Sequence, residues 1–267
     1  MTLGDEWDWL DTSVGWSTPT TITVCGADLA EDLMGTVSFS ALAFRLVAGR
    51  FPTPPETRVF DAVLVALADH GLTPTALAAR LTYTGAPESL QGAVAAGLLG
   101  AGDVFLGVTE DTAEMLAEVL ASVDADDDET LRAAAAQAVA RLQEKGVRIP
   151  GLGHPVHKDT DPRVPRLYAI AAEEGLVGRN LRLLRHVAEA QAATGRHLPI
   201  NGAGVTGAAL ADLGLPWRLL RGFALLARTA GLLGHLAEEM ERPIGRPLWL
   251  ALDRHVAERH EGTAGQG

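Results

Sequence analysis

Residues 147–163 read V-R-I-P-G-L-G-H-P-V-H-K-D-T-D-P-R, and no other stretch of the 267-residue chain restricts its folding as much. Pro150, Pro155 and Pro162 exclude a continuous helix, because proline lacks the amide and clashes with the preceding turn. Gly151 and Gly153 permit positive φ and close backbone approach, so amides there can face a ligand. An alanine-rich helical pattern over 133–145 stops at Gly146, and another starts at Val164. The stretch is therefore a stiff loop between helices, carrying His154, Lys158 and Arg163, and such loops bind anions. By itself, a G-x-G-H is more often a structural turn with a surface histidine.

Composition points the same way. The chain is 47% hydrophobic but only 5% aromatic, which suits many closely packed helices rich in alanine and leucine. One large core or two close-packed lobes both fit this length. A net charge of −12 argues against generic nucleic-acid or acidic-membrane binding. Residues 124–129 form an acidic run, read as a solvated loop. Cys25 is the sole cysteine, so an internal disulfide and a cysteine-based zinc site are excluded. The start is acidic and lacks a signal-peptide pattern, and Arg221 and Arg228 interrupt the most apolar late segment. A soluble, cytoplasmic protein with no membrane span is expected.

In chain order, residues 1–20 place Trp7, Trp9 and Trp16 among polar residues and Pro19, which reads as a packed arm. Residues 20–25 alternate β-branched side chains and predict a short strand ending at Gly26. A capped turn near Asp28 follows, then a helix over 38–49 with serine at its N-cap. Helices are predicted over 56–69, from the turn after Gly71 to Thr82, and over 111–123, 130–145, 164–174, 179–193 and 219–240. Residues 89–102 are rich in small side chains that allow tight helix contacts, and a frayed tail begins at Gly262. His70 at a helix C-terminus is, on spacing alone, a dipole-favoured cap. His235 and Glu238 read as a packed pair on one helix. His154-x-x-His157 is set aside as a metal motif, since Pro155 breaks the helix it would need and no other ligand pair has metal-site spacing.

G-L-G-H-x-V-x-K-x-x-D-P-R resembles the substrate loop of the citrate synthase superfamily. A-D-H-G-x-x-x-T-x-x-A-R around His70 and R-T-A-G-L-x-x-H-x-x-E-E from Arg228 are similar to further family segments, in the same order. The resemblance spans roughly residues 25–250. It implies an all-α, citrate synthase-like fold: a large helical lobe from 1–105 and 215–267, a smaller one from 106–214, and a cleft between. It also implies that His70, His154, Arg163, Arg228 and Arg246 bind a small di- or tricarboxylate. His70 and His154 take catalytic roles, and Arg246 reaches the partner's site in a homodimer. Coenzyme A thioester, as substrate, falls to Val147, Pro150, Gly151, Leu152, Gly153 and Lys158, largely through backbone groups. No metal is implied.

Four positions depart from the synthase pattern. Phe105 in G-D-V-F-L-G-V stands where synthases place a general-acid histidine, and the citryl-CoA lyase branch, including ATP-citrate lyase, resembles this chain there. Ala203 in N-G-A-G stands where the family places its catalytic aspartate, Pro155 replaces a frequent arginine, and Leu106 replaces a glycine. The resemblance therefore implies a citryl-CoA lyase-like enzyme, cleaving citryl-CoA to acetyl-CoA and oxaloacetate or running the reverse. A non-catalytic relative that holds acyl-CoA or citrate, and an enzyme rebuilt for another acid, are the alternatives.

Overall fold

The computed structural model describes residues 11–264, with side chains through residue 261. Trp7 and Trp9 lie outside the described residues. Trp16 does not belong to an irregular arm: β1 (Gly15–Ser17) pairs antiparallel with β2 (Ile22–Val24), which pairs with β3 (Ala27–Asp28). The expected strand supplies the template, and Thr18 closes the hairpin by donating its amide to Thr21 and bonding its hydroxyl to the Thr21 hydroxyl.

The other regular elements among the described residues are helices, joined by loops. Asp28 caps a π-helical turn, Leu29–Leu33, by accepting from the amides of Ala30 and Glu31. Ser38 caps α1 (Phe39–Ala48), and Gly49 ends it with φ 72°. The prolines that follow start α2 (Pro54–Ala68), where a missing amide costs nothing. Thr53 and Glu56 form a reciprocal capping box there. Glu56 also takes both ends of the Arg50 guanidinium, which holds its carboxyl down at about 2. α3 (Pro74–Gly85) and α4 (Leu90–Leu99) pack as a pair, and a π-helical turn, Asp103–Gly107, leads into α5 (Val108–Leu120). α6 (Asp128–Glu144), α7 (Arg163–Glu173), α8 (Arg179–Ala193) and α9 (Gly202–Asp212) follow, then the long α10 (Leu220–Glu241) and α11 (Gly245–Ala264).

One core joins α1, α2 and α5 through α10, and a smaller one holds α3 and α4 on α10. Phe44, Phe60 and Phe223 meet edge to face at 5.4 and 5.1 Å and fasten α1 and α10 to α2. α9 is buried along nearly its whole length, among α2, α5, α7 and α8. Glycines make its close contacts possible: a Cβ at Gly207 would strike the Thr109 carbonyl, and one at Gly204 would strike Gly151. The small residues of α4 act in the same way, since a Cβ at Gly97 would meet Leu232 of α10 at 2.7 Å and the Thr75 carbonyl at 2.9 Å.

α11 has no counterpart in the sequence reading. Pro247 lies in its first turn, where proline is tolerated, and the carboxylate of buried Glu239 accepts from the amides of Ile244 and Gly245 at its start. The helix continues through Ala264, past the residue where a frayed tail was expected. Most of its side chains are exposed. Among the described residues no single helix is long and apolar enough to cross a membrane.

Candidate active site

The C-terminus of α2 is the point where distant segments meet. A helix end leaves carbonyls unpaired and carries partial negative charge, so cations settle there. Arg163, at the start of α7, donates to the Ala66 carbonyl (3.3 Å), and Arg228 of α10 donates to the Leu67 carbonyl from Nε (3.4 Å) and Nη2 (3.3 Å). α10 can come this close because Gly231 lies against the Ala68 carbonyl, where any Cβ would collide.

Arg228 is buried, and its Nη1 also reaches the Thr73 (3.3 Å) and Thr75 (3.1 Å) hydroxyls at the head of α3. A guanidinium has five N–H donors, and most of Arg228's are committed to binding α2 and α3 together. Burial lowers its pKa, with Asp69 opposing and Arg163 reinforcing the shift. Arg163 is held bidentately by Asp161, Nε to Oδ1 at 2.9 Å and Nη2 to Oδ2 at 2.7 Å. Asp161 is fully buried and also accepts from the Gly202 amide at 2.8 Å, at the N-terminus of α9. Burial alone would raise its pKa, but the Arg163 ion pair and the backbone amides outweigh that and hold it at about 2.

Immediately after α2, the turn Asp69-His70-Gly71 has Gly71 at φ +75°. Asp69 accepts from His235 Nε2 at 2.8 Å, while Glu238 goes to Arg80, so His235 and Glu238 do not form the pair expected of them. They differ because they leave α10 toward different neighbours. His70 faces His154 and His157, with ring centroids 5.3 and 5.4 Å away. His154 and His157 stack at 4.5 Å, and the Nε2 atoms of His70 and His157 are 3.2 Å apart.

After Pro155 the loop turns so that Val156 and His157 donate their amides to His154 Nδ1 at 3.1 and 3.0 Å. Two donors on Nδ1 leave the hydrogen of a neutral ring on Nε2, so His154 presents a donor. Burial lowers its pKa, helped by His157, Arg163 and His70 and opposed by Asp161. The sequence reading left His157 out of the site, because a loop cannot present H-x-x-H on one helical face. The loop does it by folding instead, and His70 adds a third imidazole from 84 positions upstream.

The three imidazoles have ligand atoms within 4.8 Å of one another, so the reason given for dismissing a metal does not hold. The donor set nevertheless fits an anion better. A metal on His154 Nε2 would put the ring's hydrogen on Nδ1, into two backbone donors, and the Arg163 cation is close by.

The loop before His154 is a glycine turn, as its sequence predicts. Gly151 has φ +83° and presses on Thr112 and Gly204, while Gly153 has φ +81°. Leu152 bridges to Ile200; the Gly153 amide donates to the Pro199 carbonyl at 2.7 Å, and the Asn201 amide donates to the Gly151 carbonyl at 2.9 Å. The Gly153 carbonyl accepts from Asn201 Nδ2 at 2.8 Å. These bonds tie the loop's backbone to residues 199–201 and fix its shape. Pro150 is half-buried, and Val147 is exposed. Lys158 is also exposed and turns its ammonium back to the His154 carbonyl at 3.1 Å.

Arg246 stands apart. It is exposed in the first turn of α11, beside the C-terminal end of α3. α3 has 12 residues, so its length puts roughly 18 Å between that end and the Thr73 end near His70. Phe105 is 42% exposed on its π-helical turn. Ala203 is half-buried in the first turn of α9. Neither can move a proton. A cavity of about 300 Å³ lined by Asp159, Arg185, Glu189 and His197 includes none of the three clustered histidines.

Fold and site together define a mainly helical protein, with one small three-stranded sheet, and a cationic, histidine-rich centre at a helix terminus. The chain belongs to the citrate synthase family: residues 26–248 match the family model described as citrate synthase, C-terminal domain. It is similar in structure to citryl-CoA lyase from Hydrogenobacter thermophilus, with 32% identity, a TM-score of 0.78 and 87% of each chain covered. It also resembles an ATP citrate lyase from Methanosaeta concilii solved in complex with (3S)-citryl-CoA, at 22% identity and a TM-score of 0.71 over 86% of this chain and 39% of that one. Citrate synthase from Pyrobaculum aerophilum follows at 22% identity and a TM-score of 0.60, covering 78% of this chain and 51% of that one. No curated protein matches.

Proposed function

We propose that the chain is a citryl-CoA lyase-type enzyme, cleaving citryl-CoA to acetyl-CoA and oxaloacetate or condensing the two. One observation carries this reading: His70, His154, Arg163 and Arg228, from three distant segments, gather at one helix end. Citrate and oxaloacetate are compact polyanions, and this cluster offers cations and a directed imidazole donor without a free carboxylate between them. His154 Nε2–H polarises the substrate's hydroxyl or ketone oxygen. Arg163 keeps two N–H groups beyond its three internal bonds for a substrate carboxylate. Arg228 chiefly fixes the frame. Similarity to the Hydrogenobacter citryl-CoA lyase supports the reaction class.

The proposal includes a cleft between residues 106–214 and the rest of the chain, coenzyme A beside Val147, residues 150–153 and Lys158, a cytoplasmic location and a homodimer. Ala79, Ala93, Leu232 and Leu236 form a small separate core on α3, α4 and α10. Around it, Leu81, Leu90, Leu99, Leu233, Met240 and Trp249 stay exposed on α3, α4, α10 and α11. A second copy would cover them, and Arg246 would then reach the partner's site.

Phe105 and Ala203 favour a second reading, in which the chain binds citrate and coenzyme A without turnover. Incubation with citryl-CoA, and separately with acetyl-CoA plus oxaloacetate, followed by mass spectrometry, separates the two. Product in either direction supports the enzyme; tight binding without product supports the binding protein.

A further inference from the structure

We propose that His157 is a positioning residue that fixes the tautomer of His70, so that His70 Nδ1 carries the proton during carbon–carbon cleavage. This rests on the lyase reading above. The two Nε2 atoms lie 3.2 Å apart, and a single hydrogen occupies the bond between two neutral rings. The ring that donates it keeps a bare Nδ1 as a base. His157 is well placed to be the fixed acceptor: its ring stacks on His154 and its own amide is anchored on His154 Nδ1. His70 follows the C-terminus of α2 directly, beside Asp69. Proton uptake turns the His70–His157 contact into a charge-assisted hydrogen bond.

The proton count closes with this group alone. His70 Nδ1 takes the tertiary hydroxyl hydrogen, and the O–H pair becomes the new carbonyl bond. The carbon–carbon bond breaks, and its pair passes to the thioester enolate. His70 returns the same hydrogen to the α-carbon, leaving oxaloacetate, acetyl-CoA and a neutral ring. Hydroxyl oxygen and departing carbon are bonded to one carbon, so one carrier reaches both. Phe105 and Ala203 need supply nothing.

The test compares the wild-type chain with His157→Leu and His157→Gln, using citryl-CoA kinetics and nitrogen-15 spectra of the His70 ring. A glutamine Oε1 can still accept the His70 Nε2–H, whereas leucine cannot. The expected result is a loss of ~10²-fold in kcat for His157→Leu with KM little changed, since proton transfer by a placed group contributes about that much. His157→Gln should recover most of it, and the His70 tautomer should become mixed in the leucine variant only. Unchanged kcat in a folded His157→Leu protein, or equal losses in both variants with an unaltered His70 tautomer, overturns the role while the lyase reading stands. An inactive wild-type chain overturns the lyase reading, and the role with it.

Discussion

Asp161 holds Arg163 and the first amide of α9 at once, from a fully buried position. Its carboxyl sits at about 2, below the ordinary 3.8. A depressed carboxylate stabilises the fold above the unfolded value, and that contribution is lost as pH falls from about 4 through about 2. Asp161→Asn should cost about 3–5 kcal/mol in urea unfolding, because it leaves a guanidinium without its buried partner. His154 is also depressed, so its contribution is complete above about 6.5 and falls away on acidification below that. Protonation would put a hydrogen on Nδ1, which two backbone amides already face, so His154 should stay a neutral donor under bound citrate. Calorimetry in buffers of different ionisation enthalpy should then show the same proton uptake for wild type and His154→Gln; a larger uptake by the wild type would overturn the neutral-donor assignment. Ala203→Asp adds a carboxylate in the first turn of α9, where the helix dipole favours it. If a missing base limits the rate, turnover should rise ~10² to 10⁴-fold. A stable variant that binds citrate without any gain would show that the proton moves elsewhere.

At the scale of elements, the sequence revealed what local chemistry decides. Ser38 and Asp28 identify themselves as caps, and α8 (Arg179–Ala193) has the bounds its amphipathic pattern predicts. The segment order of the site was legible too, because glycine, proline and histidine spacing survives in one dimension. What escaped depends on through-space partners. β1 needs β2 beside it, and α11 owes its start to Glu239 across a turn. His157 joins the site because the loop folds its amide onto the His154 ring, and most of Arg228's donors turn inward to carbonyls and hydroxyls no motif could disclose. The crossing of α10 over α2 depends on Gly231. Gly231→Val would drive a side chain into the Ala68 carbonyl, and overpacking of this kind costs about 1–3 kcal/mol or more. Thermal unfolding checks that loss, and His70 placement should suffer with it. Gly153→Val strains a backbone at φ +81° and should weaken coenzyme A binding by disturbing the loop. Unchanged affinity in a folded protein would move the coenzyme A site elsewhere.

For the whole molecule, the exposed apolar side chains of α3, α4, α10 and α11 make self-association the natural way to cover the small second core. Leu99 is 87% exposed at the end of α4, so Leu99→Asp should leave the monomer fold intact and shift sedimentation from dimer toward monomer. A wild-type chain that is monomeric at micromolar concentration with full ligand binding would refute the shared site. The fold reads as one frame, with α2 delivering a negatively polarised end to which two arginines and three histidines are fitted. In the proposed function, that frame holds a polycarboxylate while a carbon–carbon bond breaks. The most direct test is mass spectrometry of wild-type and His70→Ala proteins incubated with citryl-CoA. The account predicts acetyl-CoA and oxaloacetate from the wild type and at least ~10²-fold less from His70→Ala; equal product from both, or none from the wild type, would contradict it.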